Sequence, residues 1–105
     1  MRAIIRHAAE REVPIRVWCD LDLGGVRIAR IVVQLASAAQ TVLMDPETIR
    51  TAQLTQPIEP GLVTAMRRDL TLHPADLLAE SLRMLLERGV WVEQETLLDR
   101  IDKAF

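Results

Sequence analysis

The 105-residue chain contains no tyrosine, so it brings no phenolic nucleophile for covalent strand transfer. Cysteine occurs once, as Cys19, which excludes an intrachain disulfide and a cysteine-rich zinc site and fits a reducing compartment. Lysine is equally scarce. Lys103, close to the last residue, is the single lysine among 13 cationic side chains, which argues against lysine catalysis. Positive charge is not in excess either: 13 Lys and Arg face 15 Asp and Glu, a net charge of −2. That balance excludes the strongly basic surface of a stand-alone nucleic-acid binder and confines any such contact to local patches. No apolar run approaches the roughly 18 residues that span a bilayer, and the N-terminus carries no signal-peptide pattern, so the sequence predicts a cytoplasmic protein that engages no membrane.

Half of the residues are hydrophobic and 27% are charged, a composition that excludes intrinsic disorder. At this length the chain is a single small domain, residues 1–105. From Arg2 to Glu12, Ile4, Ile5, Ala8 and Ala9 lie opposite Arg2, Arg6 and Glu10, the pattern of an amphipathic helix ended by Val13 and Pro14. Ile15–Cys19 reads as a buried strand ending at Asp20. A helix then runs to about Ala39, with Arg27, Arg30, Gln34 and Ser37 as its polar stripe. Thr41–Met44 reads as a second strand, closed by Asp45, with Pro46 and Glu47 opening another helix. A strand–helix–strand crossover is parallel and right-handed, which puts Asp20 and Asp45 on one edge of the sheet. Gln53–Gly61 reads as a surface loop. Helices are expected over about Leu62–Leu70 and Ala75–Arg88, the latter ended by Gly89 and striped with Leu77, Leu78, Leu82 and Leu85. A brief strand at Val90–Val92 and a last helix over Gln94–Lys103 complete the chain.

The sharpest local feature is Trp18-Cys19-Asp20-Leu21-Asp22-Leu23-Gly24-Gly25, a buried strand emptying into two acids and two glycines before a helix. Along an extended strand, alternation puts Asp20 and Asp22 on one side, roughly 6.5–7 Å apart. Their hard oxygens suit Mg²⁺ or Mn²⁺, which keep water and substrate phosphate as further ligands. The glycines let a phosphate approach the backbone at a helix N-terminus. The alternative is that both acids solvate the loop and cap the helix. Phosphatases of the haloacid-dehalogenase type share Asp-x-Asp after an apolar strand but want a hydroxyl or valine shortly after it and a later lysine, where this chain has Leu23, Gly24 and only a terminal lysine. Asp45 is within reach of joining the acidic cluster, or is the N-cap that Asp-Pro-Glu ordinarily makes. Glu93 and Glu95 offer a further acid or serve as first-turn helix acids. His7 and His73 have no visible catalytic partner. Arg27 and Arg30, just beyond the acidic loop, are placed either to touch DNA phosphates or to solvate a helix face.

The stretch Val17-Trp18-Cys19-Asp20-Leu21-Asp22-Leu23-Gly24-Gly25-Val26-Arg27-Ile28 resembles the strand and Asp-x-Asp-x-x-Gly segment of Toprim domains similar to the topoisomerase VI A subunit. Leu43-Met44-Asp45-Pro46-Glu47-Thr48 and Trp91-Val92-Glu93-Gln94-Glu95 resemble, in order, two stretches of the C-terminal domain of the Wadjet anti-plasmid nuclease subunit. The resemblance implies an α/β, Toprim-like Rossmannoid three-layer fold with a small, mostly parallel sheet, lacking the first Toprim strand and its glutamate. Glu10 and Glu12 do not replace that residue. It further implies that the chain is the C-terminal part of a longer polypeptide that cleaves DNA with Mg²⁺ or Mn²⁺, Asp20 and Asp22 being the metal-binding acids and Asp45 or Glu95 further candidates. The partners implied are DNA, held through the longer polypeptide, and a second copy or the subunits of a condensin-like complex. The rival reading is a noncatalytic module for interaction or dimerisation.

Overall fold

In a computed structural model, residues 15–36 and 38–104 are described. The helix expected over Arg2–Glu12, with His7, and Ser37 of the polar stripe lie outside them. The elements in order are β1 (Arg16–Val17), α1 (Leu23–Leu35), β2 (Gln40–Thr41), α2 (Pro46–Thr51), β3 (Gln56–Pro57), α3 (Pro60–Leu72), α4 (Ala79–Arg88), β4 (Val90–Trp91), a 3-10 turn (Gln94–Leu97) and α5 (Leu98–Ala104). Among the described residues the fold is α/β, five helices around small sheets.

β1 and β2 pair in parallel, Arg16 opposite Gln40 and Val17 opposite Thr41, as the single-helix crossover through α1 requires. β3 and β4 pair antiparallel, Gln56 opposite Trp91 and Pro57 opposite Val90. One antiparallel bridge, Leu21 with Val92, joins the two ladders through hydrogen bonds of 2.8 and 3.0 Å. Among the described residues the pairing is therefore mostly antiparallel, against the expectation of a mostly parallel sheet. Two helices, α3 and α4, separate β3 from β4; the second undoes the return made by the first, and the chain re-enters the sheet from the opposite end. Pro57 concealed β3 inside the expected loop, yet proline is compatible with a strand paired on one side only.

Local chemistry sets the helix boundaries. Asp45 caps α2 with Pro46 in its first turn, and Gly89, at φ 69°, closes α4 in the left-handed conformation that glycine reaches without strain. α4 begins at Ala79 rather than Ala75, because the Asp76 side chain accepts the Leu78 N–H at 3.1 Å and holds the preceding residues in a turn. Leu77 is consequently exposed, and the leucine stripe consists of Leu78, Leu82 and Leu85.

The core gathers Val17, Leu21, Val26, Ile49, Leu82 and Val92 between the sheets and helices. Leu82 is wholly buried there. Leu82→Ala is expected to cost about 2–5 kcal/mol, whereas Arg27→Ala, on an exposed side chain, stays within about 0.5 kcal/mol. Urea melts of the two variants check this, and equal losses would mean that the helix faces are misassigned.

Candidate functional site

The acidic loop follows from the way β1 ends. Leu21 points fully into the core and bridges to Val92, so Asp20 and Asp22 on either side of it are left half-exposed, the alternation expected of extended chain. Asp22 is itself extended (φ −145°, ψ 177°) and is the N-cap of α1, its Oδ1 accepting the Gly25 N–H at 2.7 Å. Gly25 is buried, and a Cβ there would lie 1.8 Å from the Asp20 carbonyl oxygen. Its bareness thus serves the packing of helix on loop. Gly24 is the exposed glycine of the pair.

The Asp20 carboxylate reaches across the fold. Its Oδ1 accepts the backbone N–H of Gln94 at 2.7 Å, a contact between residues 74 positions apart. The hydrogen bond ties the Glu93-Gln94-Glu95 stretch to the Asp-x-Asp loop, and so unites two of the three motifs singled out in the sequence. Among the described residues neither Asp20 nor Asp22 has a hydrogen-bond donor on its Oδ2. Each carboxylate is oriented through one oxygen and open at the other, the arrangement of ligands fixed by an outer layer of donors. Carboxylate oxygens are the donors that hard divalent cations take, but no group of three or more His, Cys, Asp and Glu placed to hold a metal occurs among the described residues. Burial pushes the Cys19 thiol up from its ordinary range, with the charges of Asp20 and Asp22 adding to the effect, which keeps it protonated beside the acids.

Asp45 stands at the N-terminus of α2, where its Oδ2 accepts the Thr48 N–H at 3.2 Å and its Oδ1 the Thr48 hydroxyl at 2.5 Å. Glu95 is exposed on the 3-10 turn. Asp22 also borders a cavity of about 200 Å³ walled by Leu23, Ile58, Leu62 and Trp91, and Glu59, whose side chain makes no capping bond, lies on the same rim. Glu59 escaped the sequence reading because it belongs to the segment taken for a loop.

Arg27 and Arg30 have different surroundings although both lie on α1. The Arg30 guanidinium is mostly buried and donates to both oxygens of Asp69, from Nη2 to Oδ1 at 2.7 Å and from Nη1 to Oδ2 at 3.1 Å. Its Nε lies 3.2 Å from Asp76 Oδ2. Hydrogen bonding to Arg30 holds the Asp69 carboxyl below the usual carboxylate range and raises the guanidinium in turn. Arg27 is largely exposed, its Nε 3.7 Å from Asp69 Oδ2. One sequence signal for the buried acid existed: Asp69 is spaced i, i+3 from Met66 on the inward face of α3.

No helix among the described residues is long and apolar enough to cross a membrane. The family model described as Wadjet protein JetD, C-terminal, matches residues 2–105. No curated protein and no solved structure matches the chain.

Proposed function

Since the chain belongs to the Wadjet protein JetD C-terminal family, we propose that it is the Toprim-like, metal-dependent DNA-cleaving domain of a cytoplasmic plasmid-defence protein, with Asp20 and Asp22 as its metal-binding acids. The observation that supports this most is the Asp20–Gln94 hydrogen bond, because it fixes one acid and draws the Glu93–Glu95 stretch to the same end of the fold. Gly25 does for Asp22 what Gln94 does for Asp20: each backbone donor holds one oxygen, and the other meets no donor among the described residues. When bound, Mg²⁺ or Mn²⁺ would supply Lewis acidity toward a phosphodiester oxygen. The chain's own contribution is to hold two carboxylates at a spacing set by the buried Leu21 and to keep the neighbouring thiol neutral. On this reading a further acid, and most of the grip on DNA, come from a longer polypeptide. A noncatalytic interaction module is the second reading, favoured by the capping of helices by Asp22 and Asp45.

Metal binding separates the two. Two carboxylates without a third ligand hold an ion in the millimolar range, as sparse oxygen sites do. Water-proton relaxation with Mn²⁺ is expected to show such binding, abolished in the Asp20→Asn, Asp22→Asn double variant. Unchanged binding by that variant would leave the interaction module standing.

A further inference from the structure

A cleft of about 380 Å³ separates α1 from α3, and three guanidiniums, those of Arg27, Arg30 and Arg68, line it. Among the described residues that line it, the only carboxylate is that of Asp69, which is buried and held by Arg30 through two hydrogen bonds. Asp76 pairs with the same guanidinium, so Arg30 is shared by two carboxylates. That leaves Arg27 on one helix and Arg68 on the other. Arg27 is 57% exposed and keeps only a long ion pair with Asp69, 3.7 Å and without a hydrogen bond, and Arg68 is exposed with no ion pair among the described residues. Other arginines are engaged within the fold: Arg50 with Glu47, Arg83 with Glu80, Arg88 with the carbonyls of Ile49 and Ala52, and Arg100 with Thr51. His73 adds an imidazole at the end of the cleft, where Leu72 also lies.

We propose that the cleft between α1 and α3 is a phosphate-binding site, in which Arg27 and Arg68, on two helices either side of a floor where Arg30 pairs with Asp69 and Asp76, grip a phosphate of a nucleic-acid backbone. Guanidinium forks match phosphate oxygens in shape and charge. The guanidiniums of Arg27, Arg30 and Arg68 outnumber the carboxylates of Asp69 and Asp76 beside them, so the cleft keeps a net positive charge toward an anion. The choice of nucleic acid as the phosphate source rests on the proposed DNA-cleaving function; the phosphate site itself does not.

The test is a salt titration of the purified chain with a labelled DNA duplex in EDTA, beginning at low ionic strength. The Arg27→Ala, Arg68→Ala double variant is expected to bind on the order of tenfold more weakly or worse, with the slope of log K against log salt shallower by about 1.8, two phosphate contacts at about 0.9 each. Arg83→Ala on α4 keeps the wild-type slope. An identical slope and affinity in the double variant would overturn the site, and a mononucleotide that displaces duplex at matched phosphate concentration would overturn the nucleic-acid source. With metal chelated, Asp20 and Asp22 play no part in the readout, so loss of the cleavage reading leaves this result interpretable and loss of this site leaves the cleavage reading intact.

Discussion

Asp69→Ala is expected to lower the folding stability by about 3–5 kcal/mol, the usual consequence of removing one partner from a buried ion pair. The variant leaves the Arg30 guanidinium, 11% exposed, facing an empty floor with only Asp76 beside it. Its two strongest hydrogen bonds, at 2.7 and 3.1 Å, are lost together, and they are also the tie between α1 and α3. Asp69→Asn, which keeps the shape and one acceptor, is expected to lose less. The effect depends on pH with a definite sign. The Asp69 carboxyl titrates below its ordinary value in the folded protein, so its contribution is complete above the unfolded value near 3.9 and disappears as pH falls through the folded one. The gap between wild type and Asp69→Ala in urea midpoint should therefore be constant near neutrality and close below about pH 4. A gap that stays open in acid would assign the loss to packing rather than to the charge.

The two helices that Asp69 and Arg30 join illustrate what the sequence made legible and what it did not. Features written in a few adjacent residues are readable: Asp45-Pro46 as a helix start, Gly89 as a helix end, and the alternation that sets Asp20 and Asp22 apart from the intervening Leu21. Each depends on backbone conformation, proline geometry or alternation, which neighbouring residues fix among themselves. The pairing of Arg30 with Asp69 spans 39 positions and that of Asp20 with Gln94 spans 74, and nothing near either residue specifies such a partner. Arg30, on a polar stripe, reads like Arg27 until α3 is laid beside it. The antiparallel ladder was hidden for a related reason. β4 is legible as the brief strand at Val90–Val92, but its partner β3 has two residues, one of them a proline, a signal too short to register.

Asp20→Ala is expected to remove DNA nicking altogether in a polypeptide that carries this domain together with its upstream segment. Replacing an outer-layer donor to a metal ligand typically costs 10–100-fold, so loss of a ligand itself is expected to exceed about 100-fold. The variant also removes the acceptor that holds Gln94, which frees the Glu93–Glu95 stretch from the acidic loop. The 105-residue chain alone should not nick, because two carboxylates leave the roughly 3.5–4 Å spacing of a two-metal site undetermined, and a net charge of −2 gives little hold on a duplex at physiological salt. The decisive measurement is conversion of supercoiled plasmid to open circles by the longer polypeptide with Mg²⁺ or Mn²⁺, wild type against Asp20→Ala. Metal-dependent nicking that vanishes in the variant is the predicted result; nicking that persists undiminished would contradict the assignment of Asp20 to a metal site.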